Sequence, residues 1–205
     1  MTRAVVFDLG GVLIEWDPRR LYRKLLPDDA SVEAFLAEVC TSEWNHRQDQ
    51  GRSWADAIAE LTARHPDRAE LIAAYYERWE EMLGGALDGV VAILEELDAS
   101  GVPLYALTNW SRETFPIARR RFQFLDRFRG IVVSGEEGAA KPDPQIYRAL
   151  LERYCLEPGR TLFIDDVAKN VEGARAVGME GVLYTSPAEL RRELAARSIL
   201  AVIKL

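Results

Sequence analysis

Cysteine is nearly absent from this 205-residue chain: Cys40 and Cys155 are the only two, and neither sits in a CxxC or beside a histidine at metal-ligand spacing. A disulfide scaffold and a thiolate metal site are therefore not expected, and both thiols read as reduced packing residues of a cytoplasmic protein. Histidine is as scarce, with only His46 and His65, and no serine lies in a G-x-S-x-G turn, so a serine-hydrolase triad is not expected either. No run approaches the roughly 18–20 apolar residues of a membrane helix, and residues 1–8 lack the pattern of a signal peptide. Neither GxGxxG nor GxxxxGK follows any strand-like run, which removes the usual nucleotide loops. Basic charge is in deficit, with 26 Lys+Arg against 33 Asp+Glu and a net charge of −7. That deficit disfavours nucleic acid and anionic membranes as partners, because both are bound by cationic surfaces. The one dense basic run, Arg119-Arg120-Arg121, reads as a solvated helix face. A small anionic substrate survives this exclusion, since a focused cationic pocket can sit within an acidic protein. Monomer and homodimer both stay open.

What is present is an ordinary globular balance, 48% hydrophobic and 29% charged. The run RAVVFD (3–8) is a β-branched strand that stops at Asp8, before the turn-prone Gly10-Gly11. Four further short apolar runs, 104–107, 131–134, 161–164 and 181–184, alternate with helix-patterned segments, as parallel strands with helical crossovers do. The helices are well punctuated. One follows Asp88 and stops at Gly101, one starts at Asp143-Pro144, one covers 168–177 before Gly178, and one starts at Ser186-Pro187. Between 17 and 83 no strand is expected. Helices there open at Asp17-Pro18, Ser31, Ser53 and Asp67, and Gly84-Gly85 breaks the pattern. The expectation is a Rossmann-like, doubly wound α/β core (1–16 and 84–205) with a helical cap (17–83) inserted after the first strand.

In an open parallel sheet ligands bind at the carboxyl ends of the strands. The residues falling there are Asp8, the pair Thr108-Asn109, Lys141, and the pair Asp165-Asp166. Each alone has a bland reading as a turn former, an N-cap or a solvated loop residue. Together they suit phosphoryl transfer. A carboxylate can attack phosphorus, a hard divalent cation can offset its repulsion from the phosphate, and a lysine with oriented donors can hold the equatorial oxygens.

FDLGGVL (7–13), LTN (107–109), KPDP (141–144) and FIDD (163–166) resemble, in order and spacing, the four motifs of the haloacid-dehalogenase-like (HAD) superfamily. The DLGGV form and the chain length resemble its small cap-bearing sugar-phosphate phosphatases. The resemblance implies Asp8 as nucleophile, Thr108 and Asn109 as phosphate holders, and Lys141 as the bridge between nucleophile and phosphate. It further implies Mg²⁺ at Asp8, the Gly10 carbonyl, Asp165 and Asp166, with Asp166 the more direct ligand of the pair, and Asn170 in support. The implied substrate is a small phosphorylated metabolite, with sugar phosphates among the candidates.

One position departs from the family pattern. Gly10 stands where most family phosphatases carry a second aspartate that protonates the leaving group and then activates water. Glu15, Asp17, His46 and Asp49 are candidates to replace it. Metal-independent 2-haloacid dehalogenation, which needs no proton donor, and a catalytically weak phosphate-binding regulator are the alternatives. Retention of Asp165-Asp166 favours phosphate over halide. In the cap, the run 41–54 concentrates Trp44, Trp54, His46, Arg47 and Arg52. Of these, His46, Arg47 and Arg52 are the expected contacts to the substrate beyond its phosphate, and Trp110 is a candidate wall of the pocket.

Overall fold

The computed structural model describes residues 4–200. Five short strands form a parallel sheet: β1 (Ala4–Phe7), β4 (Leu104–Thr108), β5 (Gly130–Val133), β6 (Thr161–Asp165) and β7 (Glu180–Leu183), in the order β5-β4-β1-β6-β7. The first strand is thus central, with Phe7 aligned on Ala106 at one side and Ile164 at the other. Side chains alternate between the two faces with the period of two that a strand imposes. Val5, Phe7, Leu104, Ala106, Leu162 and Ile164 enter one core. Ala4, Val6, Tyr105, Leu107 and Phe163 enter a second. A sheet buried on both faces needs helices on both, which is why its strands read as continuous apolar runs. On the first face, α6 (Asp88–Ala99) contributes Val90, Ile93, Leu94 and Leu97, and α11 (Pro187–Ala196) contributes Leu190 and Leu194. On the second, α9 (Pro144–Arg153) lays down Ile146, Tyr147, Leu150 and Leu151, and α10 (Ala168–Ala176) adds Ala174. Two shorter helices, α7 (Phe115–Arg121) and α8 (Ser134–Glu137), follow β4 and β5. The doubly wound α/β architecture expected from the sequence is the observed one.

Helices α1 (Arg19–Tyr22), α2 (Asp29–Glu38), α3 (Ser42–Asp49), α4 (Trp54–Arg64) and α5 (Ala69–Glu77) fill the stretch after the first strand. Their apolar faces, among them Tyr22, Phe35, Trp44, Trp54, Leu61 and Tyr75, join the first core. The stretch is docked on the loop after β4, where the Trp54 backbone N–H donates to Glu113 at 3.0 Å.

Several boundaries differ from the sequence reading. A two-stranded antiparallel ribbon, β2 (Ile14–Trp16) with β3 (Leu83–Ala86), joins the two ends of this helical stretch. Gly84-Gly85 therefore lies inside a strand and is not a break. A Cβ on Gly84 would meet the Glu15 carboxylate at 2.1 Å, so a glycine is what lets the two strands pair there. The second helix opens at Asp28, whose carboxylate accepts from the Ser31 N–H at 2.8 Å. Ser31 is thus the receiver of a cap and not its source. The run 41–54 contains a complete helix, α3, capped by Thr41. Asp67 falls in a short 3₁₀ turn, Pro66–Arg68, ahead of α5. Cys40 is buried as expected, but Cys155 is exposed.

Candidate active site

The parallel sheet aims the carboxyl ends of β1, β4 and β6 at one rim. Asp8 follows β1, Thr108 ends β4 and Asp165 ends β6. Lys141, in the turn that leads into α9, is 1% exposed and reaches between two of them. Its Nζ lies 2.9 Å from Asp8 Oδ1 and 2.6 Å from Asp165 Oδ2. The Lys141 backbone is itself fixed by Asn109, whose Oδ1 accepts from the Lys141 N–H at 2.8 Å and whose Nδ2 donates to the Lys141 carbonyl at 3.0 Å. Asn109 thereby positions the lysine, and it also lines the cleft.

The three ions differ in how they are held. Asp8 Oδ1 also accepts from the Leu9 N–H at 2.7 Å, so both protein bonds fall on one oxygen and Oδ2 is the one left for chemistry. Burial pushes the Asp8 carboxyl up to about 7, Lys141 pulls it down, and Asp165 adds to the rise. Burial acts to lower Lys141, but Asp8 and Asp165 outweigh it and hold the ammonium above its ordinary range. Asp165 is fully enclosed: besides Lys141 it takes Asn170 Nδ2 at 3.1 Å on each oxygen and the Val167 N–H on Oδ1 at 2.8 Å. Asn170 is fixed in turn, since its carbonyl accepts from the Tyr147 hydroxyl at 2.7 Å. Asp166, by contrast, is exposed, and its carboxyl is raised by partial burial and by Asp165.

Oxygens of Asp8, Asp165 and Asp166 lie within 4.8 Å of one another. Three carboxylates around one lysine leave an excess of hard oxygen donors, which suits a divalent cation such as Mg²⁺. Asn170 Oδ1 is also buried there without a partner, although its Nδ2 is fully used. A Cβ on Gly11 would crowd the Asp166 carboxylate where it stands, and the φ of +77° there suits a glycine. The residues present fit the implied metal.

The rim opens into a cleft of about 370 Å³ lined by Asp8, Gly10, Thr108, Lys141, Asp166 and Asn170 from the sheet side. From α3 it is lined by Ser42, His46 and Asp49. Burial and Lys169 hold the His46 imidazole below its usual value. Asp49 is half-buried and accepts from Asn45 Nδ2 at 3.3 Å. Burial pushes its carboxyl up to about 7; the Ser111 amide opposes that, and the Asp8 charge reinforces it.

Of the substrate contacts expected in the helical stretch, the structure brings His46 to the cleft but not Arg47 or Arg52. Arg47 is exposed and pairs with Glu43 one helical turn back, at 3.3 Å. Arg52 is taken by Glu60 and by the Asp56 carbonyl. Both guanidiniums answer carboxylates of their own segment, which removes them as the expected contacts. Glu15 and Asp17 are likewise engaged, with Arg20 and Arg19 at 3.3 Å each, and neither lines the cleft. Lys169 and Trp16 do line it and were missed. Lys169 had a signal, since it directly precedes the singled-out Asn170; Trp16 had none, because only the β2–β3 ribbon carries it there.

The parallel doubly wound sheet thus carries a carboxylate, a buried lysine and a metal-fit acidic cluster together at its strand ends. The family model of the haloacid dehalogenase-like hydrolases matches residues 2–178, and the chain belongs to that family. It is 28% identical to the sesquiterpene phosphatase astK of Aspergillus oryzae, over 89% of this chain and 90% of that protein. It is also 28% identical to phosphatase MT3486 of Mycobacterium tuberculosis, over 92% and 89% of the two chains. Three other curated relatives are longer, and the chain spans 19%, 36% and 38% of them. Among solved structures, the HAD family enzyme bt-2542 of Bacteroides thetaiotaomicron, in complex with magnesium and inorganic phosphate, superposes with a TM-score of 0.69 at 22% identity, covering 90% of this chain and 95% of that one. A dehalogenase superposes with a TM-score of 0.68 at 21% identity, over 95% and 97% of the chains. Among the described residues no helix is long and apolar enough to cross a membrane.

Proposed function

We propose that this hydrolase is a Mg²⁺-dependent phosphatase of a small phosphorylated metabolite, with Asp8 as the nucleophile. The observation that carries the reading is the pinned Asp8–Lys141–Asp165 triad beside the open Asp166 carboxylate. Dehalogenation has no phosphate charge to offset and so gives this acidic cluster no task. Asp8, Asp166, Asp165 and the Gly10 carbonyl are the groups that would hold the cation, which supplies charge neutralisation between a carboxylate and a phosphate dianion. Lys141 and Thr108 stabilise the equatorial oxygens while Asp8 Oδ2 forms its bond to phosphorus and the ester P–O bond breaks. The departing alkoxide takes a proton. Water then attacks the aspartyl phosphate, releasing inorganic phosphate and regenerating Asp8. Purified protein with Mg²⁺ should release phosphate from p-nitrophenyl phosphate, and a chelator should stop it. Chloride release from 2-haloacids that persists in chelator would establish the dehalogenase reading instead.

The proton donor that Gly10 cannot supply is assigned to Asp49. Among the four candidates, it alone is a carboxyl facing the cleft, and burial raises it to about 7, which leaves a large protonated fraction near neutral pH. General acid help is typically worth about 10²–10⁴-fold, and it matters only where the leaving oxygen is basic. Asp49→Asn should therefore slow an alkyl phosphate by about 10²-fold or more while changing p-nitrophenyl phosphate hydrolysis only a few-fold. Because the acid works in its protonated form, alkyl phosphate turnover should fall as pH rises through about 7, and that limb should vanish in the variant. An equal loss on both esters would remove Asp49 from the role.

A further inference from the structure

Past the phosphate cleft lies a second chamber, of about 90 Å³, walled by Trp16, Trp54, Trp79 and Trp110, four of the five tryptophans in the chain. Gly10, Trp16, Asp49 and Asn109 line both spaces, so the chamber opens at the place where the leaving group of a bound phosphate ester would be. Its walls are braced from behind. Trp54 stacks on Tyr76 with ring centroids 5.4 Å apart and meets Trp44 edge-on at 5.5 Å, and Trp79 lies 5.5 Å from Trp110. Aromatic side chains packed only to fill a core close such voids, because interiors reach crystal-like density. Here a pocket continuous with the cleft remains among them.

The polar groups around it are largely spent. Trp54 Nε1 donates to Ser111 Oγ at 3.0 Å, Asn109 is held at both ends by Lys141, and Asn45 donates to Asp49. Two indole N–H groups of the lining residues, on Trp16 and Trp110, are buried without a partner. Asp49, Asn45, Asn109 and Thr114 bring the remaining polar atoms to a lining that is mostly indole. The several hydroxyls of a sugar would be stripped of water against those indole faces at a cost.

We propose, on the footing of the phosphatase reading above, that the substrate is the monophosphate of an apolar alcohol, whose first carbons occupy this tryptophan chamber, and not a sugar phosphate. A cavity of about 150 Å³ holds benzene, so on that scale about 90 Å³ takes roughly the first four carbons.

The test is a homologous series at fixed Mg²⁺: methyl through hexyl monophosphate, with glycerol phosphate and glucose 6-phosphate alongside, read as kcat/KM. The leaving oxygens of the alkyl series are of similar basicity, so the trend reports the chamber and not the chemistry. The expected result is a rise of about fourfold per carbon through the fourth and little gain beyond, the fold-change that about 0.8 kcal/mol per buried methylene implies. Butyl phosphate then exceeds glucose 6-phosphate by tens-fold, and Trp16→Ala flattens the slope. A flat series, or a sugar phosphate turned over as well as butyl phosphate, overturns the substrate class while leaving the phosphatase standing. Absence of phosphate release from every ester overturns both.

Discussion

Asp8→Asn abolishes phosphate release while the protein stays folded. An amide keeps the shape of the side chain but cannot form the bond to phosphorus, and removal of a covalent nucleophile costs on the order of 10⁴–10⁶ in kcat. The fold is not at risk, because Lys141 keeps its 2.6 Å partner Asp165 and the Asn109 clamp on its backbone. The stability consequence has a definite sign. The Asp8 carboxyl is raised to about 7 in the fold, so the folded state holds its proton more tightly than the unfolded chain does. Such a group weakens stability as pH climbs from about 4 through about 7, and a neutral asparagine lifts that penalty. At pH 8 and without metal, the variant should melt no lower than the parent. Phosphate release at the parental rate would end the aspartyl-phosphate mechanism; a clear drop in Tm would contradict the electrostatic account of Asp8.

Lys141→Met carries the second large effect, and here stability and activity fall together. The lysine is the single cation between two carboxylates, one of them fully enclosed. Taking it away leaves two like charges in a dry site, and breaking a buried pair from one side typically costs about 3–5 kcal/mol. Urea unfolding at pH 8 should show a loss of that order, and a smaller one at pH 5, where Asp8 can take up a proton. The double variant Lys141→Met/Asp165→Asn should recover much of the stability but none of the activity, since the donor to the phosphate oxygens is still missing. Recovery of activity with stability would reduce Lys141 to a structural strut.

Much of this was legible in the chain. The five sheet strands are short apolar runs bounded by turn and cap residues, and β1, β4 and β6 end at Asp8, Thr108 and Asp165, the residues singled out for them. What stayed hidden depends on contacts between distant positions. The β2–β3 ribbon pairs Ile14 with Ala86 and Trp16 with Leu83, and nothing local in three or four residues containing Gly84-Gly85 announces a strand. Of the α3 residues singled out, His46 and Asp49 reach the cleft and Arg47 does not. Ser42 and His46, and Asn45 and Asp49, are spaced i, i+4 on the face toward the site, whereas Glu43 and Arg47 share another stripe and pair with each other. Charge added Arg47 to the expected contacts; helix periodicity, given the helix, keeps Asp49 and His46 and sets Arg47 apart.

The ribbon has a mechanical meaning as well. Because β2 and β3 are hydrogen-bonded to each other, the helical stretch departs from the sheet and returns to it through a single stalk. Asp49, His46 and Trp54 all lie on that one excursion, and Trp54 is tied to the loop after β4 through Glu113 and Ser111. The proposed proton donor and a wall of the tryptophan chamber therefore share one support, and a change in the Ile14–Ala86 or Trp16–Leu83 pairing would displace both together.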